Sequence, residues 1–259
     1  MKQQFKNKLS LVIITLNEEK NIERCIRSAP MALDIVVLDS GSRDRTREIA
    51  QSLGARVFNE PWPGFYKQKT RAVELAEHNW VLSLDADEAL SPAAQIALTE
   101  LLDQDLEACD GFEFSRMTYH LGRWLRHGGN YPDRQVRFFH RHRAHWLNTN
   151  VHERIIAKNV KRISGDILHW PFANGLFDQI ATVNKYSALR AQDFADKGKR
   201  FSSFKLVGKT LSKFIETYFL KRGFLDGVPG LISALVSSFA TFLRWAKLYE
   251  QQNSKADSK

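Results

Sequence analysis

Val81-Leu82-Ser83-Leu84-Asp85-Ala86-Asp87-Glu88 is an apolar strand that runs straight into three carboxylates interrupted by one small residue. A strand ending in Asp-x-Asp sets hard oxygen ligands at a sheet edge, where a divalent cation and a phosphate can meet. That points to chemistry on a phosphorylated donor. Taken alone, the same acids equally well open a loop or cap a helix, so the flanking segments have to decide.

Upstream, residues 9–16 (Leu-Ser-Leu-Val-Ile-Ile-Thr-Leu) are rich in β-branched side chains and stop at Asn17, as a buried parallel strand does. Residues 17–28 are predicted as a helix, with Asn17 as N-cap and Glu18 and Glu19 where the helix dipole favours negative charge. The unit then repeats: strand at 34–39, turn at Ser40-Gly41-Ser42, helix at 44–53 ended by Gly54. A short strand at 55–58 and a helix at 67–78 lead into the strand at 80–84. Alternation of this kind predicts an α/β fold, a mostly parallel Rossmann-like sheet flanked by helices, with ligands at the carboxyl ends of the strands. Thr15 to Glu19, Asp39 to Ser42 and Asp85 to Asp87 then fall on one edge.

Composition is that of a folded protein: 259 residues, 43% hydrophobic and 26% charged. The formal net charge of +9 implies acidic partners, whether nucleotide phosphates, anionic lipid or nucleic acid. Cys25 and Cys109 are far apart and in no metal-ligand spacing, which argues against a disulfide framework or a zinc site and fits a reducing cytoplasm. Residues 1–8 are polar and basic and the apolar run behind them is short, so no secretory signal is expected.

Three motifs in order carry a resemblance: Val12-Ile13-Ile14-Thr15-Leu16-Asn17-Glu18-Glu19, Val36-Val37-Leu38-Asp39-Ser40-Gly41-Ser42-Arg43-Asp44-Arg45-Thr46, and Leu82-Ser83-Leu84-Asp85-Ala86-Asp87-Glu88. With them the chain resembles the nucleotide-sugar glycosyltransferases of family 2, which have the GT-A fold, and within them the lipopolysaccharide-core β-1,4-glucosyltransferases. The resemblance is close over the first half and implies a UDP-sugar donor with Mg²⁺ or Mn²⁺. Donor-binding candidates are Thr15, Asn17, Glu19, Asp39, Ser42, Arg71 and Asp85. Asp39 would accept hydrogen bonds from uracil or ribose, or else simply form the turn before Ser40-Gly41. Asp87 leads the metal ligands, with Asp85 nearer the ribose or reaching the ion through water, and Glu88 as a supporting or capping acid. Arg71 either reaches the nucleotide or belongs to a solvated basic helix face.

Downstream, residues 119–131 are rich in glycine and aromatics; Trp124, His127, Gly128, Gly129 and Tyr131 suit a loop that packs on an acceptor sugar, or ordinary packing. In residues 133–141 strict alternation puts Gln135, Arg137 and Phe139 on one face of a strand whose basic side chains suit phosphates. An inverting transferase needs a carboxylate to take the proton of the attacking hydroxyl. Glu153, in Asn150-Val151-His152-Glu153-Arg154-Ile155, resembles the His-Glu element of the core glucosyltransferases and is favoured; Asp133 is the other candidate. The chain lacks the Glu-Asp pair that marks the base in many family 2 enzymes. His169, beside Trp170, either completes the metal shell or packs in the core.

The division expected is a GT-A catalytic domain over 1–176, a helical membrane-associating extension over 177–250 and a disordered tail over 251–259. Basic residues interleave with aromatics across 194–222, the signature of helices on an anionic membrane surface. Residues 227–243 carry no charge but include Pro229 and Gly230, which suggests an interfacial or re-entrant segment, with a packed helical hairpin as the alternative. The sequence therefore predicts inverting transfer of a hexose, glucose by resemblance, to a lipid-linked saccharide, the lipopolysaccharide inner core, by a protein peripheral on the cytoplasmic face of the inner membrane. A capsule, protein or lipid-phosphate acceptor is the alternative within the class. A basic nucleic-acid-binding module is the alternative outside it, and the acidic strand ends argue against nucleic acid as the partner.

Overall fold

The structure, a computed structural model, describes residues 5–147 and 154–254. The chain divides into two compact units, the first of Met1–Arg116 with Asp133–His169 and the second of Met117–Pro132 with Trp170–Lys259. The second unit thus takes the aromatic loop as well as the C-terminal helices.

The first unit opens with three strand–helix pairs: β1 (Leu9–Thr15), α1 (Ile22–Arg27), β2 (Asp34–Asp39), α2 (Thr46–Ser52), β3 (Arg56–Asn59) and α3 (Phe65–Glu74). β4 (Trp80–Asp85), β5 (Glu88–Leu90), α4 (Pro92–Leu102) and β6 (Gly111–His120) follow. β7 (Arg123–Leu125) lies in the second unit, and β8 (Asp133–His140), β9 (His145–Trp146), β10 (Ile155–Ile156) and β11 (Val160–His169) return to the first. The main sheet runs β3-β2-β1-β4-β8-β6-β11-β5. β1 pairs in parallel with β2 and β4, and β2 with β3; beyond β4 the pairings with β8, β6 and β5 are antiparallel. Helices α1, α2 and α3 connect the strands of the parallel half, as parallel pairing requires, and α4 connects β5 to β6.

β1 is buried along its whole length, and its alternate side chains feed two cores. Leu9, Leu11 and Ile13 join Ile22 and Ile26 of α1 and Leu98 of α4 on one face; Val12 and Ile14 join Ala72 of α3 and Phe139 on the other. Phe138 fills the first core, its ring 5.5 Å from Phe112 and 4.8 Å from Trp80. Burial on both faces is why β1 reads as a continuous apolar run rather than an alternating one.

Two helices depart from expectation. α1 begins at Ile22, because Asn17 sits at φ 56° in a left-handed turn, where its side-chain oxygen accepts the Arg43 N–H at 2.9 Å instead of capping a helix. α3 begins at Phe65 and ends at Glu74, because the N–H groups of Glu77 and His78 donate to Asp34 Oδ2 and Ser10 Oγ at 2.9 and 3.0 Å. Those bonds compete with further helical turns.

Gly165 in β11 shows how tightly α4 lies against the sheet. It has φ 86°, and a β-carbon there would sit 2.2 Å from Ala94 N and 2.6 Å from Ala94 Cα, so backbone must move to admit one. Gly165→Ala should cost about 2–4 kcal/mol from clash plus positive φ, read as the urea unfolding midpoint. An unchanged midpoint would show that α4 gives way freely.

In the second unit β7 pairs with the end of β6, and α5 (Leu176–Asp196) and α6 (Ser203–Ile215) precede a π-helical turn (Glu216–Leu220) and a 3-10 turn (Gly223–Asp226). α7 (Gly227–Ser254) is one continuous helix of 28 residues, and Pro229 falls in its first turn, where no intrahelical N–H is needed. Gly230, Ala234, Ser238, Thr241, Trp245 and Leu248 form its buried face, and Ser238 Oγ donates to Thr210 O of α6 at 2.6 Å. By length and composition Gly223–Ser254 is long and apolar enough to cross a membrane, and 39% of its most apolar window is buried inside the fold.

Candidate active site

Register brings the motif residues together before any side chain is considered. Thr15 pairs with Asp39 across β1 and β2, and Ile14 pairs with Asp85 across β1 and β4, so three strands end on one edge. The loops after β1 and β2 are interlocked. Asn17 N donates to Ser42 Oγ at 2.8 Å, Glu18 N to Thr46 Oγ1 at 2.8 Å and Glu19 N to Asp44 Oδ2 at 3.1 Å, while Glu19 Oε2 accepts the Arg45 N–H at 3.2 Å. Asp39 is fully buried. Its carboxylate accepts from Gly41 N at 3.1 Å, from Ser42 N at 2.9 Å and from Ser42 Oγ, with Arg47 Nε 3.6 Å away. In this state the acid organises its own turn. Thr15 Oγ1, also buried, has no hydrogen-bond partner.

Asp85 stands at the centre of a set of opposed charges. Its Oδ1 lies 2.9 Å from Lys69 Nζ and its Oδ2 3.3 Å from Arg137 Nη2. Burial alone would raise the Asp85 pKa, but the charges of Lys69 and Arg137 outweigh it and hold the carboxyl well below the usual range. Glu88, almost fully buried, accepts from Arg116 Nη1 at 3.0 Å and Arg137 Nη2 at 2.8 Å through Oε1, and from the Asp85 N–H at 3.0 Å through Oε2. Arg116 also grips Asp133 Oδ2 through Nε at 2.9 Å and Nη2 at 2.6 Å, and Gln135 Nε2 donates to Asp133 Oδ1 at 2.9 Å. Burial pushes the Asp133 carboxyl up, yet Arg116 brings it net below its ordinary value. Three carboxylates and three cations thus neutralise one another in a continuous chain from the end of β4 to the start of β8.

Asp87 lies outside that chain. Its Oδ2 is 3.4 Å from His169 Nε2, and His169 Nδ1 is buried without a hydrogen-bond partner. The pairing follows from register, because β11 places His169 directly opposite Glu88 of β5, one residue beyond Asp87. Asp85 is engaged by two cations, and Asp87 with His169 is the pair whose donor atoms would fit an ion. A carboxylate and an imidazole suit Mn²⁺, and a short protein ligand set is usual for a cation that also takes phosphate oxygens from a substrate. Among the described residues no group of three His, Cys, Asp or Glu is placed to hold a metal. The donor set therefore fits an ion completed by a bound diphosphate rather than one caged by the protein alone.

Other candidates fall elsewhere. Arg71 is turned away, pairing with Glu60 at 3.1 Å and Glu74 at 3.4 Å. Two α3 residues do reach the strand ends: Gln68 donates to Ser40 Oγ at 3.0 Å, and Lys69 meets Asp85, with its ammonium 4.9 Å from the centre of the Trp146 ring. The signal was its spacing: Lys69 and Ala72 lie three apart on one face of α3, and both are buried. In β8 the expected alternation is interrupted, since Phe112 pairs with Phe138 but Glu113 with Val136, leaving Arg137 as the extra residue of a bulge. A bulge re-aims a side chain, and Arg137 is aimed at Asp85 and Glu88 rather than left open for a phosphate. Glu153 and its neighbour His152 lie outside the described residues.

In the second unit the aromatic loop is anchored by Asp226. Its Oδ2 accepts the N–H groups of Arg126 and His127 at 2.9 and 2.8 Å, and its Oδ1 lies 2.9 Å from His127 Nδ1. His127 is thereby a structural link. Tyr119 and Trp170 each pack on Trp124, with centroids 5.0 and 5.1 Å apart.

A Rossmann-like parallel half that ends in interlocked loops and an acid pair, continued by antiparallel strands that supply a histidine to it, is the arrangement of a GT-A transferase. Sequence comparison agrees: residues 10–160 match the Glycosyl transferase family 2, and the chain belongs to that family. It is 34% identical over 257 residues to the lipopolysaccharide core biosynthesis glycosyltransferase LpsC of Rhizobium meliloti, covering 96% of this chain and 94% of that one. An uncharacterized glycosyltransferase of Rickettsia typhi, RT0209, is 32% identical over 94% of this chain and 87% of its own. Among solved structures, glucosyl-3-phosphoglycerate synthase from Mycobacterium tuberculosis, in complex with Mn²⁺, UDP and glucosyl-3-phosphoglycerate, aligns over 45% of each chain with 26% identity and a TM-score of 0.35.

Proposed function

We propose that this glycosyltransferase moves a hexose, glucose by resemblance, from a UDP-sugar to a lipid-linked saccharide of the lipopolysaccharide inner core, with inversion, at the cytoplasmic face of the inner membrane. The observation that carries the reading is the Asp87–His169 pair at the sheet edge where the donor motifs end. The acceptor class is supported by 34% identity to LpsC over nearly the whole of both chains. The excess of basic residues is assigned to donor phosphates and anionic lipid rather than nucleic acid.

The residues divide the work by position. Thr15, Asn17, Glu19, Asp39 and Ser42, in the loops after β1 and β2, hold the nucleoside. Asp85, kept ionised by Lys69 and Arg137, receives a ribose hydroxyl. Asp87 and His169 would hold Mg²⁺ or Mn²⁺, which when bound supplies Lewis-acid stabilisation of the charge on departing UDP. An acceptor hydroxyl attacks the anomeric carbon from the face opposite UDP, its proton passes to a carboxylate, and the carbon–oxygen bond to the diphosphate breaks. Glu153 is the better base, because Asp133 is gripped by Arg116 and its lowered pKa makes it a weaker proton acceptor.

Glu153→Gln is expected to lower turnover with a UDP-sugar and a truncated core lipid about a hundredfold while leaving UDP binding by calorimetry intact. Asp133→Asn should cost less. The reverse ranking would make Asp133 the base, and full activity in both variants would sink the two assignments together.

A further inference from the structure

α6 is the one helix of eight residues or more among those described that has no buried residue at all. Phe204, Val207, Leu211 and Ile215 recur at spacings of three and four, so they share one face. All are exposed, Phe204 to 86%, and the π-helical turn extends the stripe with Phe219 and Leu220, the latter 74% exposed. The opposite side faces the fold: Thr217 is buried and Thr210 O takes the hydrogen bond from Ser238 of α7. α7 adds its own exposed apolar residues, Val228, Leu235, Phe239 and Phe242, at compatible spacing.

Charge identifies what covers this face. Lys205, Lys209 and Lys213 recur at intervals of four and lie about 100–180° round the helix from Phe204, so they form the polar side of α6, with Lys205 and Lys209 exposed. Between residues 197 and 222 there are eight basic residues and one acid, Glu216, which is already paired with Lys213 at 3.3 Å and with Lys221. A second copy offering the same face would bring lysines against lysines, which is unfavourable. A helix with an exposed apolar stripe and a lysine-rich polar side fits the boundary between anionic headgroups and acyl chains.

We infer that α6 lies flat in an anionic bilayer surface, its Phe204-to-Phe219 stripe among the acyl chains and its lysines at the headgroups, with α7 as buttress rather than span. α7 suits that part because one of its faces is buried and carries Ser233, Ser238 and Thr241, whereas a lone spanning helix is apolar all round. The inference rests on the proposed lipid-linked acceptor for its place in the reaction. It gives that acceptor's membrane a defined landing surface on the second unit.

The test is flotation of the full chain with vesicles of phosphatidylcholine, with and without phosphatidylglycerol. Binding should require phosphatidylglycerol and fall as salt rises. The double substitution Phe204→Ser with Leu211→Ser, and separately the triple change of Lys205, Lys209 and Lys213 to Glu, should each weaken vesicle binding about tenfold or more. Both variants should keep the parent's circular dichroism and its UDP and Mn²⁺ binding. Failure of the parent to float, or unchanged binding by both variants, overturns the inference. So does gel filtration showing that the stripe closes a dimer, or resistance of the bound protein to high salt and carbonate, which would make α7 a span. Loss of UDP binding in the parent would instead remove the proposed reaction and leave the lipid result standing.

Discussion

Asp87→Ala is expected to abolish metal-dependent UDP binding in calorimetry and to lower sugar transfer about a thousandfold, a loss of about 4 kcal/mol in the transition state. The size follows from how few ligands the protein supplies. Asp87 and His169 face each other at 3.4 Å, and the two acids beside Asp87 in the motif are already engaged: Asp85 by Lys69 and Arg137, Glu88 by Arg116 and Arg137. With Asp87 removed, His169 loses its partner ligand, and neither Asp85 nor Glu88 can substitute without breaking its own ion pairs. His169→Ala should be milder, because the carboxylate that remains is the harder ligand for Mg²⁺ or Mn²⁺. Asp87→Ala protein that still bound UDP more tightly with Mn²⁺ than without it would place the metal elsewhere.

The parallel half of the sheet was legible because its strands are short β-branched runs ending in turn residues, and both faces of β1 are buried. Position alone put Thr15, Asp39 and Asp85 on one edge, and the register agrees. What holds Asp85 was not legible in the same way. Lys69 lies 16 residues before it and Arg137 52 residues after it, and neither pairing leaves a periodic trace. Arg137 was further hidden by the bulge, since alternation read straight through residues 133–141 misplaces everything on one side of the extra residue. Arg71 pairs with Glu60 and Glu74, while the contact with Asp85 comes from the buried Lys69 two residues earlier, roughly opposite on the helix. The aromatic loop was legible as a loop, but its partner, Asp226, is a hundred positions away from Arg126 and belongs to a turn whose sequence carries no motif.

Glu88→Ala should lower the thermal midpoint of the first unit by about 10 °C, corresponding to about 3–5 kcal/mol. The carboxylate is almost fully buried, and it is the acid through which Arg116 and Arg137 are joined. Truncation leaves two guanidinium groups with no acid between them, one of them buried, and strips the Asp85 N–H of its acceptor. Arg137 keeps Asp85 and Arg116 keeps Asp133, but each loses a buried partner and the two like charges are left facing each other, so the loss exceeds that of an exposed ion pair such as Arg27–Glu23. Glu88→Gln keeps the shape and an acceptor oxygen and should lose about half as much. The same chain sets the response to acid. The folded pKa of Asp85 is depressed below its unfolded value of about 4, so its contribution is fully present above that pH and is lost as pH falls toward the folded value. Removing Glu88 leaves Lys69 and Arg137 still on Asp85, so this acid-side loss should persist in Glu88→Ala at a lower overall stability. Asp85→Asn should flatten it, because no charge remains there to protonate. A Glu88→Ala midpoint within a degree or two of the parent would mean that water reaches Arg116 and Arg137 readily. The opposed charges would then be a solvated cluster instead of the frame that fixes Asp85 beside the Asp87–His169 pair.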